Sequence, residues 1–321
     1  MSKEKEEKKK KPEPKTLNNG MKIPIMGLGT SRIANPENIT YCAIKSGVRL
    51  IDTALKYENE EAVGRGIGRA IKDGICKRED LTIIGKIWIT ERNDPEKAIN
   101  GSLKRLNLDY FDIYMDHWPS GKDYRENKNS FKGLEATYEM ISIYDFWEKM
   151  EKLVELGLTK SLGVSNYNIQ CLCNLLSFCK IKPVVNEIEY HLFYIQKDLK
   201  EFCEKQGIYI IAYYPIPHGN GAREYIRQNN GEYDVLKDSL ILDLAEKHKK
   251  TPGQIILNWH HQMGTIPIPS TSKENRMDEN LNSFDFELEK EDIKKLSTHF
   301  KQLSLKKFCG CRRFFGVNVL A

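Results

Sequence analysis

The sequence predicts an α/β fold in which strands and helices alternate along the whole chain. Short runs rich in β-branched and apolar residues are typical of buried strands, and segments with helical periodicity, such as 62–71 and 241–248, lie between them. No segment with a different amino-acid composition interrupts this alternation. The alternation favours one (β/α)8 TIM barrel, with a doubly wound sheet as the alternative. The eight predicted strands are 25–30, 48–53, 81–87, 110–115, 159–164, 184–190, 208–213 and 265–268.

Composition narrows the class of protein. With 321 residues, of which 40 % are hydrophobic, the chain can bury a large core. Its most apolar run, 81–90, is broken by Lys86 and is too short to cross a bilayer, so we expect no membrane contact. The N-terminus has no hydrophobic signal segment, and the eight cysteines then indicate free thiols. We expect a cytoplasmic, monomeric protein.

The charged N-terminus is expected to be a tail. Residues 1–15 hold seven Lys and four Glu, which is typical of a disordered, solvated segment. Lys8 to Lys11 also fit a nucleic-acid patch, but nothing after them is basic enough to support one, and we expect no nucleic-acid partner. Residues 16–321 are predicted to form a single barrel domain.

Local signals predict how the barrel is closed and covered. Asn19-Gly20 is typical of a two-residue hairpin turn, and its short strands are expected to plug one end of the barrel. Polar stretches at 119–143 and 216–235 predict extended loops at the C-terminal face. A last helix is predicted over 288–299, and the segment after it, to 321, is expected to close the barrel mouth.

Three glycines, Gly64, Gly66 and Gly68, superficially resemble a dinucleotide-binding fingerprint. They lack its spacing and lie inside a helix that is predicted to begin after an Asn59 N-cap. We interpret them as positions of close helix packing.

Side chains that can take part in proton transfer lie at the ends of three consecutive predicted strands. Asp52 ends the second strand, Lys86 the third and His117 the fourth, while Tyr57 lies on the loop after Asp52. Because the tips of neighbouring strands meet at the catalytic face of a barrel, these four side chains are expected to converge. A structural ion pair would explain Asp52 and Lys86 but not the added phenol and imidazole.

These residue types fit proton donation to a developing alkoxide. Lowering a tyrosine pKa from about 10 to about 7 requires about 4 kcal/mol. One ammonium at about 4 Å supplies about that much at an effective dielectric constant near 20. The sequence therefore predicts that Lys86 can tune Tyr57 unaided and that Asp52 keeps Lys86 protonated. His117 is expected to orient a carbonyl oxygen or to share its proton. Such a reaction needs a hydride source.

The chain resembles the aldo-keto reductases, of the aldose and aldehyde reductase kind, over about residues 16–321. The resemblance implies a (β/α)8 barrel with NADPH across its mouth, and reduction of aldehydes or ketones, with aldoses as candidates, to alcohols. It also implies that Asp52, Tyr57, Lys86 and His117 are catalytic, with Tyr57 as general acid. The matching motifs are Leu17-Asn-Asn-Gly20, Ile51-Asp-Thr-Ala54, Tyr57-Glu-Asn-Glu60, Gly85-Lys-Ile-Trp88, His117-Trp-Pro119, Gly163-Val-Ser-Asn166, Asn186-Glu-Ile-Glu189, Ala212-Tyr213 and Arg276-Met-Asp-Glu-Asn280.

By the same resemblance, Ser165 and Asn166 hold the nicotinamide carboxamide and Tyr213 stacks on its ring. Glu187 stands where the family usually has Gln, and an ionised Glu can only accept hydrogen bonds. Tyr214 stands where a small Ser is common near the pyrophosphate.

The residues expected to bind the adenosine end of the cofactor also differ from those of the family. Ser270 and Thr271 align where many members carry Lys-Ser, whereas Arg276, Glu279 and Asn280 remain. A charge-assisted contact contributes about 1.5–3 kcal/mol. NADPH is the expected cofactor, because guanidinium suits a 2′-phosphate, and NADH is expected as a second one.

In the substrate pocket, Ser31 stands where the family often has Trp, while Trp88 and Trp118 are expected as apolar walls. Strand alternation points Asp116 away from the barrel axis, with no identifiable partner. Neither Cys171-Leu-Cys173 nor His260-His261 has zinc spacing, so no metal is expected.

Two functions therefore follow from the residues, and a third, a barrel enzyme that acts on phosphorylated sugars, follows from fold analogy alone and ranks last. The first is an NADPH-dependent carbonyl reductase, with a small-molecule carbonyl compound as its partner. The alternative is a cofactor-binding accessory or regulatory subunit on the same barrel, which the altered cofactor residues Glu187, Tyr214 and Ser270 motivate.

Overall fold

Ten strands and ten helices are described by the computed structural model, which covers residues 13–120, 141–217 and 234–300. The strands are β1 Lys15–Thr16, β2 Lys22–Ile23, β3 Leu28–Gly29, β4 Leu50–Asp52, β5 Thr82–Ile87, β6 Phe111–Asp116, β7 Thr159–Ser165, β8 Val185–Glu189, β9 Tyr209–Tyr213 and β10 Ile266–Pro267. The helices are α1 Pro36–Ser46, α2 Glu60–Lys72, α3 Pro95–Leu106, α4 Ile143–Glu155, α5 Ile169–Leu176, α6 Lys197–Lys205, α7 Ser239–His248, α8 Pro252–Gln262, α9 Asn275–Leu281 and α10 Lys290–His299.

Strands β3 to β10 pair in chain order and in parallel, as the predicted barrel requires. The two ends of the sheet also meet, because the Gly27 amide donates to the Pro267 carbonyl at 3.1 Å and the Gly29 amide to the Pro269 carbonyl at 3.2 Å. A Cβ on Gly29 would lie 2.8 Å from a carbonyl oxygen, so this closure needs glycine. The eight-stranded barrel is confirmed, and the doubly wound sheet is excluded.

Strand alternation divides the apolar residues into two cores. Inward-facing residues such as Leu50, Ile84 and Val185 fill the barrel, while Ile51 and Ile83 pack outward against the helices. Each inward position is followed two residues later by another inward position. After Leu50, Ile84 and Val185, these next positions are Asp52 at the end of β4, Lys86 near the end of β5 and Glu187 in the middle of β8. A polar layer therefore lies directly above the apolar interior.

The predicted N-terminal hairpin is present, and it closes the opposite end of the barrel. Leu17 and Ile23 belong to the interior core, and the Asn19 side chain donates to Ser161 Oγ at 2.7 Å. The turn is longer than the predicted two residues, because the Leu17 amide donates to Met21. Gly20 adopts φ +86°, which glycine accommodates without strain.

Helix α2 begins after Asn59, but the predicted side-chain cap is wrong. The side-chain amide of Asn59 instead donates from Nδ2 to the Thr30 carbonyl at 2.8 Å. This bond ties the segment after β3 to the loop that carries Tyr57. A tertiary contact has replaced the local one.

The glycines of α2 support the packing interpretation at two of three positions. A Cβ on Gly64 would clash with the Leu106 carbonyl, and one on Gly66 would lie 2.5 Å from the Glu37 carbonyl. At Gly68, no atom of the described residues lies within 4 Å of such a Cβ, so close packing does not explain this glycine.

Substituting alanine in α2 tests this difference. We expect Gly64→Ala to destabilise the protein by about 1–3 kcal/mol through overpacking. Gly68→Ala, the matched control, is expected to be neutral or stabilising by up to about 1 kcal/mol, because alanine favours helix. Chemical denaturation of both variants measures the difference. Equal stabilities would contradict the packing role of Gly64.

Several expectations fall outside the described residues. These are most of the predicted tail, the parts 121–140 and 218–233 of the two long loops, and the C-terminal segment 301–321. Lys15, which the predicted tail included, pairs with Ile23 in the hairpin. In the part of the chain that the structure describes, none of the helices is long and apolar enough to span a membrane.

Candidate active site

Lys86 is the centre of the polar layer above the barrel interior. Its side chain is fully buried, and its ammonium donates to Asp52, to the Tyr57 hydroxyl at 3.1 Å and to the Thr53 carbonyl at 3.4 Å. Asp52 and Lys86 come from adjacent strands, and Tyr57 from a short 3₁₀ turn after β4. The strand order therefore places a carboxylate, an ammonium and a phenol in one contact network.

His117 lies beside this network at the end of β6. Its ring centroid is 5.8 Å from that of Tyr57 and 5.2 Å from that of Trp88, each with edge-to-face geometry. Burial, followed by the positive charges of Lys86 and Lys56, holds the pKa of His117 well below its usual value. The imidazole is therefore neutral near pH 7, and its buried Nδ1 has no hydrogen-bond partner among the residues that the structure describes.

Glu187 joins the same network from across the barrel. It lies on β8, the fourth strand along the sheet from β4, and its Oε1 is 3.3 Å from Lys86 Nζ. Asp52 and Glu187 therefore approach the same ammonium from different strands. Sequence reasoning assigned Glu187 to the cofactor alone and missed this contact. Strand alternation could have indicated it, because Glu187 lies two residues after Val185 and therefore also points into the barrel.

The predicted tuning of Tyr57 by Lys86 alone is wrong. Burial raises the pKa of Tyr57 above its usual value, and the charges of Asp52 and Glu187 act against the lowering by Lys86. The prediction counted one ammonium, whereas the structure surrounds that ammonium with two carboxyl groups. Burial lowers the pKa of Lys86, but Asp52 and Glu187 raise it more, so Lys86 stays protonated. Tyr57 also keeps its proton throughout the physiological range.

The residues predicted to hold the nicotinamide lie next to one another. Asn166, in the left-handed region at φ +64°, donates to the His117 carbonyl at 3.0 Å and accepts from the Tyr213 hydroxyl at 2.8 Å. Ser165 donates to the Glu187 carbonyl at 3.0 Å. These bonds join the predicted cofactor residues to the strand tips that carry His117 and Glu187. Tyr214, half-buried and left-handed at φ +55°, places its ring 6.2 Å from that of His191.

The residues predicted for the adenosine end lie in and near α9. Ser270 and Arg276 are exposed, Thr271 and Asn280 are buried, and Glu279 accepts from the Thr251 hydroxyl at 2.6 Å. Lys273, an exposed cation whose amide donates to Thr271 Oγ1 at 3.1 Å, was missed. The sequence could have indicated Lys273, because it is a lysine three residues after Ser270, where a lysine is expected.

The predicted pocket walls border the site, and one further cation lies there. Trp88 and Trp118 are buried, and Ser31 is half-buried two residues after β3. Lys56, which sequence reasoning did not assign, places its Nζ 5.4 Å from the centroid of the Trp88 ring. A substrate approaching His117 would therefore meet indole rings with a cation beside them.

Asp116, whose partner the sequence did not identify, faces away from the barrel axis. It contacts Arg92 Nη2 at 3.2 Å and accepts from the Tyr167 hydroxyl at 2.7 Å. Burial raises the pKa of Asp116 to about 6. This pair joins β6 to its neighbours outside the barrel.

Metal-binding geometry is not found within residues 13–120, 141–217 and 234–300, which contain no group of three or more His, Cys, Asp or Glu that could hold an ion. His260 contacts Thr265 Oγ1 and the Pro215 carbonyl, each at 3.0 Å, and therefore has a structural role.

Fold and site together define a barrel enzyme with a phenol, an ammonium and a neutral imidazole at its C-terminal mouth. The family model described as the aldo/keto reductase family matches residues 26–301. The chain belongs to this family and is an NAD(P)H-dependent oxidoreductase.

Proteins of known activity are similar over most of the chain. An NAD(P)H-dependent D-xylose reductase of Pachysolen tannophilus is 38 % identical over 301 residues, which cover 89 % of this chain and 94 % of that protein. Aldose reductase B of Dictyostelium discoideum is 36 % identical over 289 residues, covering 86 % and 88 %. The crystal structure of a Bombyx mori aldo-keto reductase in complex with NADP superposes with a TM-score of 0.83 at 31 % identity, covering 96 % and 98 %.

Proposed function

We propose that this protein reduces aldehydes and ketones, aldoses among them, to alcohols, with hydride from NADPH and a proton from Tyr57. One observation carries the proposal: the buried Lys86 ammonium contacts both Asp52 and the Tyr57 hydroxyl, with His117 alongside. The similarity to a D-xylose reductase and an aldose reductase supports aldoses as substrates.

Unpartnered buried atoms in the described site fit a bound cofactor and substrate. Within the described residues, His117 Nδ1 and Glu187 Oε2 are buried polar atoms without hydrogen-bond partners, and such atoms are costly unless something pairs with them. Ser165 and Asn166 would hold the carboxamide, Tyr213 offers a ring face, and Arg276 is the residue proposed for the 2′-phosphate. When bound, NADPH supplies the hydride.

Proton delivery follows from the electrostatics of the site. Because its pKa is raised, Tyr57 is protonated near pH 7 and can donate this proton. Neutral His117 orients the carbonyl oxygen by a hydrogen bond. As negative charge develops on that oxygen, Tyr57 donates its proton. The Lys86 ammonium, 3.1 Å away, stabilises the resulting phenolate.

The experiment is to follow NADPH consumption by the purified full-length protein with a panel of aldoses, other aldehydes and ketones. Turnover of at least one class is expected. Quenching of tryptophan fluorescence by NADPH without turnover of any carbonyl would instead support the accessory or regulatory subunit.

Arg276→Ala tests the preference for NADPH. Losing a charge-assisted contact of about 1.5–3 kcal/mol would raise the KM for NADPH about ten- to hundred-fold and leave the KM for NADH unchanged. Lys273→Ala shows whether the neighbouring lysine shares this role. Arg65→Ala, which removes an exposed arginine from α2, is the control. Equal changes for both cofactors would contradict phosphate recognition by Arg276.

A further inference from the structure

Two carboxyl groups share one cation in the described part of the site. Asp52 and Glu187 both contact Lys86, and both side chains are 2 % exposed. If both were ionised, the single ammonium would balance only one of the two negative charges. Like charges in contact in a buried site also disfavour double ionisation. The shared ammonium and the burial of both carboxyls therefore favour a proton on one of the two.

We propose that Glu187 carries this proton in the active enzyme, donates it in a hydrogen bond to Asp52, and sets the alkaline limit of catalysis. The inference deepens the proposed function, and its catalytic part rests on that function. Glu187 acts here as a positioning residue: it holds the charge balance around Lys86 rather than transferring a proton to the substrate.

The surroundings of the two carboxyls distinguish their roles. Asp52 is directly hydrogen-bonded to the ammonium, which favours its ionised form. Burial and then the Asp52 charge raise the pKa of Glu187 to about 8. The pair titrates as a unit, so the macroscopic step near neutral to alkaline pH belongs to both carboxyls.

Among the described residues, the three other site groups with resolved pKa shifts (Lys86, Tyr57 and His117) do not supply this titration. Lys86 keeps its proton because of the two carboxyls, Tyr57 has a raised pKa, and His117 has a strongly lowered one. On its own strand, Glu189 is paired with His191. The paired residues of the neighbouring strands, Ser165 of β7 and Ile211 of β9, do not titrate in this range.

Loss of the Glu187 proton would act on Tyr57 through Lys86. Glu187 Oε1 lies 3.3 Å from Lys86 Nζ, which lies 3.1 Å from the Tyr57 hydroxyl. With both carboxyls ionised, the group of Asp52, Glu187 and Lys86 changes from neutral to a net negative charge. A negative charge about 6 Å from a forming phenolate lowers its stability enough to slow proton donation about ten- to hundred-fold.

A protonated Glu187 also offers hydrogen-bonding groups like those of the glutamine that is expected at this position. A carboxylic acid has one donor and one acceptor oxygen, as a side-chain amide has its donor and acceptor ends. With the O–H directed to Asp52, the unpartnered oxygen remains an acceptor for an amide N–H. Glu187 thus reproduces part of the hydrogen bonding of glutamine while adding a titratable group.

The test compares pH profiles of kcat/KM for wild type and Glu187→Gln, which cannot ionise. In the wild type, kcat/KM should fall about ten- to hundred-fold above about pH 8. In Glu187→Gln, this fall should shift upward by about one pH unit or more, whatever the absolute rate. Glu151→Gln is the matched control, because Glu151 is a buried carboxyl on α4 that accepts from the Lys180 and Ile181 amides at 2.7 Å. It should leave the profile unchanged.

A second measurement needs no turnover. Because the folded pKa of Glu187 lies above its unfolded value of about 4.5, the folded state binds the proton more tightly. Its contribution to stability is then lost as pH rises from about 4.5 to about 8. The Tm of Glu187→Gln minus that of wild type should increase across this interval and level off above it. NADPH is omitted from these samples.

The outcomes separate the two proposals. Identical alkaline limbs together with a Tm difference independent of pH would show that Glu187 is ionised throughout, and would overturn the inference. If no carbonyl is reduced at any pH, the proposed function fails, and the Tm series still decides whether Glu187 holds the proton.

Discussion

Tyr57→Phe is expected to lower kcat for carbonyl reduction by about 10²–10⁴-fold, the usual contribution of a positioned general acid. The substitution removes only the hydroxyl that contacts Lys86 and keeps the ring beside His117. Lys86 retains Asp52, Thr53 and Glu187, so the polar layer stays satisfied. Initial rates with NADPH and an accepted aldehyde measure the effect.

Two controls separate loss of chemistry from loss of structure. Quenching of tryptophan fluorescence by NADPH should persist in Tyr57→Phe, because the residues proposed for the carboxamide are unchanged. Tyr41→Phe removes another tyrosine hydroxyl, one that donates to Asp73 on the surface at 2.9 Å, and should not alter kcat. Wild-type turnover by Tyr57→Phe would rule out this phenol as the acid.

Lys86→Met is expected to impair both catalysis and stability. Asp52 would remain buried without its cation, and breaking a buried ion pair in this way costs about 3–5 kcal/mol. The phenolate of Tyr57 would also lose its nearest positive charge, so kcat should fall by about 10²-fold or more. Chemical denaturation gives the free energy of unfolding, and steady-state assays give the rate.

The pH dependence of this loss has a defined sign. Burial already raises the pKa of Asp52, and removing Lys86 raises it further. A folded-state carboxyl pKa above the unfolded one means that stability is lost as pH rises, so the deficit should be larger at pH 8 than at pH 5. In a double variant that adds Asp52→Asn, stability should recover while activity stays low. If the double variant regained activity, the role assigned to Lys86 would be wrong.

Much of the site follows from local patterns. Apolar β-branched runs locate the strands, and strand order makes the tips bearing Asp52, Lys86 and His117 neighbours. Alternation then explains why Asp116 faces outward while His117, one residue later, faces the barrel mouth. These inferences need only the period of a strand and the rule that parallel strands present the same ends together.

Other features depend on residues that are distant in the chain. Asn59 bonds to Thr30 rather than capping its own helix, and Asp116 finds Arg92 and Tyr167 outside the barrel. A propensity or a spacing says which groups are available, but it does not say which of several tertiary partners each will contact. The sequence could therefore predict the cluster without its full set of bonds.

The amino-acid sequence by itself determined the barrel, the order of its strands and the four residue types at neighbouring tips, because strand and helix periods are local properties. Only the tertiary structure decided the charge state of the site, since Glu187 reaches Lys86 across the barrel interior. Burial and Coulomb interactions depend on the distances between side chains in space. For this reason the strand pattern placed Tyr57 in the site, whereas its raised pKa became evident only when Asp52, Lys86 and Glu187 were seen together.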